Sequence, residues 1–308
     1  MAGLVASPVR RPLASTRMAS WRGRALSLLA RGGIDSTSVG TGAVLLTRKG
    51  WERTVQAVDK NTWIVRTKSS APTALTTKHR HTKQGGDAAL KHAASILRAL
   101  DVNCVLDVGA NVGQFGQRLR RAGYKGRIVS FEPLPPLAAE LRKAASRDAD
   151  WHVVEHALGD VDTEMEINAR PGAMSSLLPA SEFGKEWHPR LRIAEKERIT
   201  VRRLDALYDS VVAGLDHARV YLKLDTQGYD LMAFAGAGDR IGEFLGMQSE
   251  VSCVPIYEGM PRMPEQITVY EDAGFAITGM FPVTRDRRSL RVIEFDVVMV
   301  RPGAVSSA

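Results

Sequence analysis

At 308 residues, 44% apolar and 25% charged, the chain has the size and composition of a globular protein with one large core and room for a small additional region. No apolar run reaches the ~18 residues that cross a bilayer, and Cys104 and Cys253 lack metal-ligand spacing and sit in apolar stretches, which excludes a disulfide framework and suits free thiols in the reducing cytoplasm. The net charge of +8 is uneven: residues 1–80 hold 14 Lys/Arg against 3 Asp/Glu, and the remainder 28 against 31.

Residues 1–80 read as a basic, loosely ordered extension, and residues 81–303 as the main domain. The extension is Arg- and Ser-rich and poor in acids, a composition shared by organellar transit peptides and by basic arms that touch nucleic acid or an acidic membrane surface. Trp51, Val55, Trp63 and Val65 predict short strands within 43–67 that pack on the body. A helix is predicted from Asp87, its cap, with Leu90, Ala93, Ala94 and Leu97 on one face and His92 solvated off it.

Residues 104–132, CVLDVGANVGQFGQRLRRAGYKGRIVSFE, predict strand, tight loop, helix and strand, with an acid closing each strand. Gly109 and Gly113 let the backbone turn sharply and approach a ligand, because neither carries a Cβ. Asn111 breaks the G-x-G-x-x-G dinucleotide fingerprint, and the G-K-[ST] triplet of a phosphate loop is absent. The pattern left is D-x-G-x-x-x-G with a downstream acid, the form used for S-adenosylmethionine. Asp107 then meets the ligand's ammonium group, directly or through water, and Glu132 accepts the two ribose hydroxyls.

Further along, a Pro-rich bend at 133–136 precedes a helix to about residue 146, and 152–157 predicts the third strand. Residues 163–168 alternate as in an edge hairpin. The irregular stretch 169–198 reads as a binding loop for the acceptor, with His188 as one base within it. Residues 220–225 form a strand ending in Asp225 and turning through Thr226-Gln227-Gly228-Tyr229-Asp230 into a helix. The bland alternatives at this strand end are a helix-capping role for Asp225 and a surface position for Lys223. Strand 245–252 carries Glu250 near its end, residues 264–273 form a helix stopped by Gly274, and 275–282 and 292–300 are the last two strands, joined by a charged turn.

The stretches VLDVGANVGQF, VSFEP, HALGD, SSL, LKLDTQGYD and EVS followed by IYEG resemble, in order and spacing over about two thirds of the chain, the FkbM family of class I S-adenosylmethionine-dependent methyltransferases. The resemblance implies an α/β, Rossmann-like fold: a seven-stranded, mostly parallel sheet with helices on both faces and an antiparallel last hairpin. It implies S-adenosylmethionine held by Asp107, Gly109, Ala110, Asn111, Gly113 and Glu132, with Ala157 and Leu158 passing the adenine. It implies a hydroxyl acceptor on a sugar, glycolipid or polyketide-type metabolite. Asp225 is the first candidate for the base that takes the hydroxyl proton, and Glu250 the second. Asp230 departs from the family pattern, where Glu is more usual. No metal ligand set emerges. Two rivals are weighed. A nucleic-acid methyltransferase is disfavoured because DTQGYD stands where base-amino enzymes carry [DN]-P-P-[FY]. A non-catalytic cofactor-binding protein is disfavoured by the presence of Asp107, Glu132 and Asp225.

Overall fold

The computed structural model describes residues 34–39, 43–48, 53–57, 63–67, 76–286 and 288–304, and the chain divides into two compact units, Met1–Ala74 and Leu75–Ala308. In the first unit, β1 (Ile34–Val39) pairs antiparallel with β2 (Ala43–Arg48), and β3 (Arg53–Ala57) with β4 (Trp63–Thr67). The strands expected near Val55 and Val65 are therefore present. Trp51, and residues 1–33 with their targeting and basic-arm readings, lie outside the described residues.

The second unit opens with α1 (Thr76–Ala99). This helix starts eleven residues before Asp87, which is therefore not its cap. Instead Asp87 Oδ1 accepts a hydrogen bond from Arg118 Nη2 at 2.8 Å. The early start crosses Gly85 and Gly86, residues that disfavour a helix interior by about 1 kcal/mol each, so the start is invisible to propensity. His92 is half-buried and not solvated: its Nε2 lies 2.9 Å from Thr278 Oγ1 and its ring 5.5 Å from Phe281.

A seven-stranded sheet forms the body. Its strands are β5 (Cys104–Val108), β6 (Arg127–Phe131), β7 (Trp151–Val154), β11 (Val220–Leu224), β12 (Phe244–Ser252), β13 (Ala276–Arg285) and β14 (Val292–Val300), in the order β13-β14-β12-β11-β5-β6-β7. All pairings are parallel except those of β14, which runs antiparallel to β12 and β13. The order reverses between β5 and β11, which lie side by side with Asp107 opposite Lys223 and Val108 opposite Leu224. An open sheet leaves its ligand crevice at such a reversal, beyond the carboxyl ends of the strands.

Alternation along the buried strands sends side chains to two cores. Leu106, Leu222 and Met247 pack with Tyr208 of α5 (Leu204–Val212), Phe234 of α6 (Asp230–Ala235) and Tyr270 of α7 (Met263–Asp272). Val105, Ile128 and Tyr221 pack with Leu97 of α1, Leu119 of α2 (Gln114–Arg121) and Leu141 of α3 (Pro135–Ala145). Each fully buried side chain of this size contributes roughly 1.5–3 kcal/mol. Helices thus cover both faces.

The third strand ends at Val154, earlier than expected, and Ala157–Leu158 forms a separate strand, β8, that pairs parallel with β10 (Glu195–Arg202) in a second sheet. There β10 also pairs antiparallel with β9 (Thr163–Ala169). The alternation at 163–168 is thus that of a strand whose partner lies beyond a long excursion through α4 (Glu182–Trp187). Among the described residues, no helix is long and apolar enough to cross a membrane.

Candidate active site

Gly109 and the loop after β5 show why this turn needs glycine. Gly109 has φ +76°, and a Cβ there would sit 2.0 Å from the Asp225 carbonyl oxygen, so the loop touches the turn after β11 backbone to backbone. The N–H groups of Gly109 and Ala110 both donate to Phe131 O, at 3.1 and 3.0 Å. Gly113 (φ +84°) starts α2, and Gly116 lies beneath the Trp151 ring, where a Cβ would come within 2.3 Å. The loop is fixed at both ends.

Around it lies a cleft with about 660 Å³ of empty space, counting its mouth to solvent. Gly109, Asn111, Glu132, Ala157, Leu158 and Asp225 line it, with Leu137 and Ile167 on an apolar side and Thr226 and Gln227 on a polar one. Asp107, Ala110, Gly113 and Glu250, also singled out in the sequence, do not line it.

Glu132 is 5% exposed. Its Oε2 accepts from Asn111 N–H at 2.9 Å and its Oε1 from Leu134 N–H at 3.0 Å. Burial pushes its carboxyl up to about 7, partly offset by those two hydrogen bonds. Each oxygen keeps a lone pair, so two ligand hydroxyls can still be accepted. Asn111 holds φ +50° and its Nδ2 donates to Gly172 O at 3.2 Å.

Asp107 is fully buried and sits behind the cleft wall. Ser130 Oγ donates to its Oδ2 at 3.1 Å and itself accepts from Trp151 Nε1 at 3.0 Å. Lys223 Nζ stands 3.0 Å from Asp107 Oδ1 and 3.5 Å from Asp225 Oδ2. Lys223 is therefore not a surface residue. Burial alone would lower it, but the charges of Asp107 and Asp225 and the bond to Asp107 outweigh burial and raise it above the usual lysine range. An ammonium placed on Asp107 by the protein leaves that carboxylate with a structural partner already.

Asp225 is partly exposed and Gln227 Nε2 donates to its Oδ1 at 3.2 Å. The same amide nitrogen donates to Glu250 Oε2 at 3.0 Å. Burial, followed by the charges of Glu294, Asp225, Asp296 and Asp230, raises the Glu250 carboxyl well above its ordinary range. Asp230, the departure from the family pattern, is buried and fully engaged: Thr226 N–H donates to Oδ1 at 2.8 Å and Ser249 Oγ to Oδ2 at 2.7 Å. It shapes the turn that presents Asp225 and Thr226. His188 Nδ1 accepts from Arg190 N–H at 3.2 Å and caps the short turn after α4.

Two residues gain importance from the structure. His156 lines the cleft, and its Nδ1 is buried with no partner among the described residues. Gln227 gathers Asp225, Glu250 and Tyr257, whose hydroxyl donates to Gln227 Oε1 at 2.9 Å. Its position inside DTQGYD was the one available signal. Among the described residues, no group of three or more His, Cys, Asp or Glu is placed to hold a metal.

A glycine cradle at the switch point, an acid at the tip of the neighbouring strand and an orphaned ring nitrogen at the far side of the cleft fit an adenosine ligand with an amino-acid tail. With the sheet order and its antiparallel seventh strand, they define a class I S-adenosylmethionine-dependent methyltransferase. Residues 107–276 match the family described as methyltransferase FkbM domain, and the chain belongs to that family. No curated protein matches the chain. Among solved structures it is similar to magnesium protoporphyrin IX methyltransferase from Synechocystis PCC 6803 with bound SAM (12% identity, 76% of this chain and 86% of that one, TM-score 0.40). It is also similar to fibrillarin from Aeropyrum pernix with natively bound S-adenosyl-L-methionine (14% identity, 87% and 94%, TM-score 0.38). Likeness at this level speaks to neither acceptor nor residue roles.

Proposed function

We propose that this chain is an O-methyltransferase for a hydroxyl on a sugar, glycolipid or polyketide-type metabolite, with Asp225 as the base. S-adenosylmethionine supplies a methyl made electrophilic by its sulfonium. Glu132 takes the ribose hydroxyls, Ala157, Leu158 and the His156 ring edge face the adenine, and Gly109 and Asn111 carry the amino-acid end. Asp225 receives the acceptor's proton as its oxygen takes the methyl, so the protein's contribution is alignment and one proton transfer.

The observation that carries this reading is Asp225 on the polar wall of the same cleft as Gly109 and Glu132. Glu250, the second candidate base, lies outside that wall and acts through Gln227. Catalysis is assigned to residues 81–303, with the basic residues 1–80 as an extension that brings peripheral contact with an acidic surface. The free thiols Cys104 and Cys253 support a reducing, cytoplasmic setting.

The test is calorimetric titration of S-adenosylmethionine into wild type, Glu132→Ala and Asp225→Asn, followed by methyl transfer to a panel of polyhydroxylated acceptors. Donor binding lost in Glu132→Ala but kept to within severalfold in Asp225→Asn, with turnover lost by at least about a hundredfold in the latter, is the expected result. A folded wild type that binds no donor overturns the reading.

A further inference from the structure

Gln227 occupies a backbone conformation that a side chain disfavours. Its φ is +55°, and Gly228 beside it has φ +94°. A second glycine at 227 would relieve the strain of a Cβ in the left-handed region. The retained amide reaches three partners, Asp225 on its own turn, Glu250 on β12 and Tyr257 beyond that strand, and every hydrogen-bonding group of the side chain is engaged.

The nitrogen side faces the acids. Nε2 donates to Asp225 Oδ1 at 3.2 Å and to Glu250 Oε2 at 3.0 Å. Lys223 Nζ lies 3.5 Å from the other Asp225 oxygen, so both oxygens of the proposed base are held, one by an amide and one by an ammonium. The oxygen side faces the loop. Tyr257 OH, 2.9 Å from Gln227 Oε1, also lies 3.1 Å from Met174 O. Ser176 Oγ donates to the Gln227 backbone oxygen at 2.6 Å. Ala173, Ser175 and Leu177, from the same loop, line the cleft.

We propose that Gln227 is a positioning residue that fixes Asp225 for the acceptor hydroxyl and locks the 173–177 wall of the cleft to it, so that base and wall form one unit. The proposal rests on the methyltransferase reading with Asp225 as base. Orientation matters because an amide can serve both sides only one way round: NH₂ to the two carboxylates and C=O to the tyrosine hydroxyl. Glutamate at 227 would set a third carboxylate against Asp225 and Glu250, and glycine would leave the backbone path and its Ser176 bond intact while releasing the side-chain bonds to both sides.

The experiment uses the full chain and S-adenosylhomocysteine and S-adenosylmethionine as probes, with wild type, Gln227→Gly, Gln227→Glu, Tyr257→Phe and Asp225→Asn. Hydrogen exchange is read in peptides spanning 170–178 with S-adenosylhomocysteine bound. Gln227→Gly is expected to speed exchange there by about tenfold without lowering the thermal midpoint, since glycine is unstrained at this φ. Tyr257→Phe should reproduce the effect, and the double variant should add little to either.

The second readout is the affinity ratio of the cationic donor to the neutral product, which reports charge held near the sulfonium. It should fall severalfold in Gln227→Gly, towards the value in Asp225→Asn, a change that a residue serving only the turn would not produce. Unchanged exchange at 170–178 together with an unchanged ratio overturns the proposal while the methyltransferase reading stands. A wild type that binds neither probe overturns both.

Discussion

The pH dependence of donor binding tests the role given to Glu132. In the empty protein its carboxyl sits near 7, held up by burial, whereas a ribose diol is best accepted by the ionised form, which has no proton of its own to place. At pH 6 about a tenth of the protein carries ionised Glu132, and at pH 8 about nine tenths, so this residue alone makes binding about tenfold tighter at pH 8, or about 1.4 kcal/mol. The ligand's own amino group titrates a little above 7, but it does so in every variant. The informative quantity is therefore the affinity of wild type divided by that of Glu132→Gln, measured by calorimetry from pH 6 to 8. That ratio should rise about tenfold with a midpoint near 7. A ratio constant across the range would refute the assignment.

Two further outcomes follow from the buried charges. Glu132, Glu294 and Asp296 are each raised to about 7, all chiefly by burial. Their protonated forms therefore favour the fold, fully below the unfolded-state values, and that stability is lost as pH rises through 7. Urea unfolding of the ligand-free protein should show at least about 2 kcal/mol more stability at pH 5 than at pH 8, and a maximum at pH 8 would contradict it. Lys223→Met removes the ammonium from a fully buried Asp107; an unpaired buried charge costs about 3–5 kcal/mol, which for a domain of this size lowers the melting temperature by about 10 °C. A calorimetric drop under about 3 °C would show that Asp107 does not depend on Lys223.

What could be read from the sequence was what lies close along it. Asp107, Gly109 and Glu132 fall within one strand-loop-helix-strand unit, so spacing alone placed their backbone. The start of α1 was hidden because residues 76–86 are polar and include two glycines, and neither periodicity nor propensity marks a helix there. A surface position for Lys223 was one open alternative; its burial follows from the register that sets it opposite Asp107 across β5 and β11, a pairing 116 residues apart. The expected third strand ran on to Ala157 because the apolar pattern does, but Ala157 and Leu158 pair with β10, more than 40 residues downstream. Gln227 was legible as part of a motif and not as a hub, since Ser176, Glu250 and Tyr257 reach it from 51, 23 and 30 residues away.

Charge decides between the two acids put forward as base. A base at neutral pH must be ionised before the acceptor arrives. Glu250 is buried beside Glu294, Asp225, Asp296 and Asp230, and burial with four like charges favours its protonated form. A carboxyl that already holds a proton cannot take one from a hydroxyl. Asp225 lies 3.5 Å from Lys223 Nζ and stands on the cleft wall. The amide of Gln227 divides its two hydrogens between these unequal partners, so Glu250 anchors the clamp while Asp225 keeps its access to the cleft. In the proposed reaction the pair divides into one base and one anchor, and the ranking of Asp225 before Glu250 gains a physical reason once β12 and β14 bring the other carboxylates around Glu250.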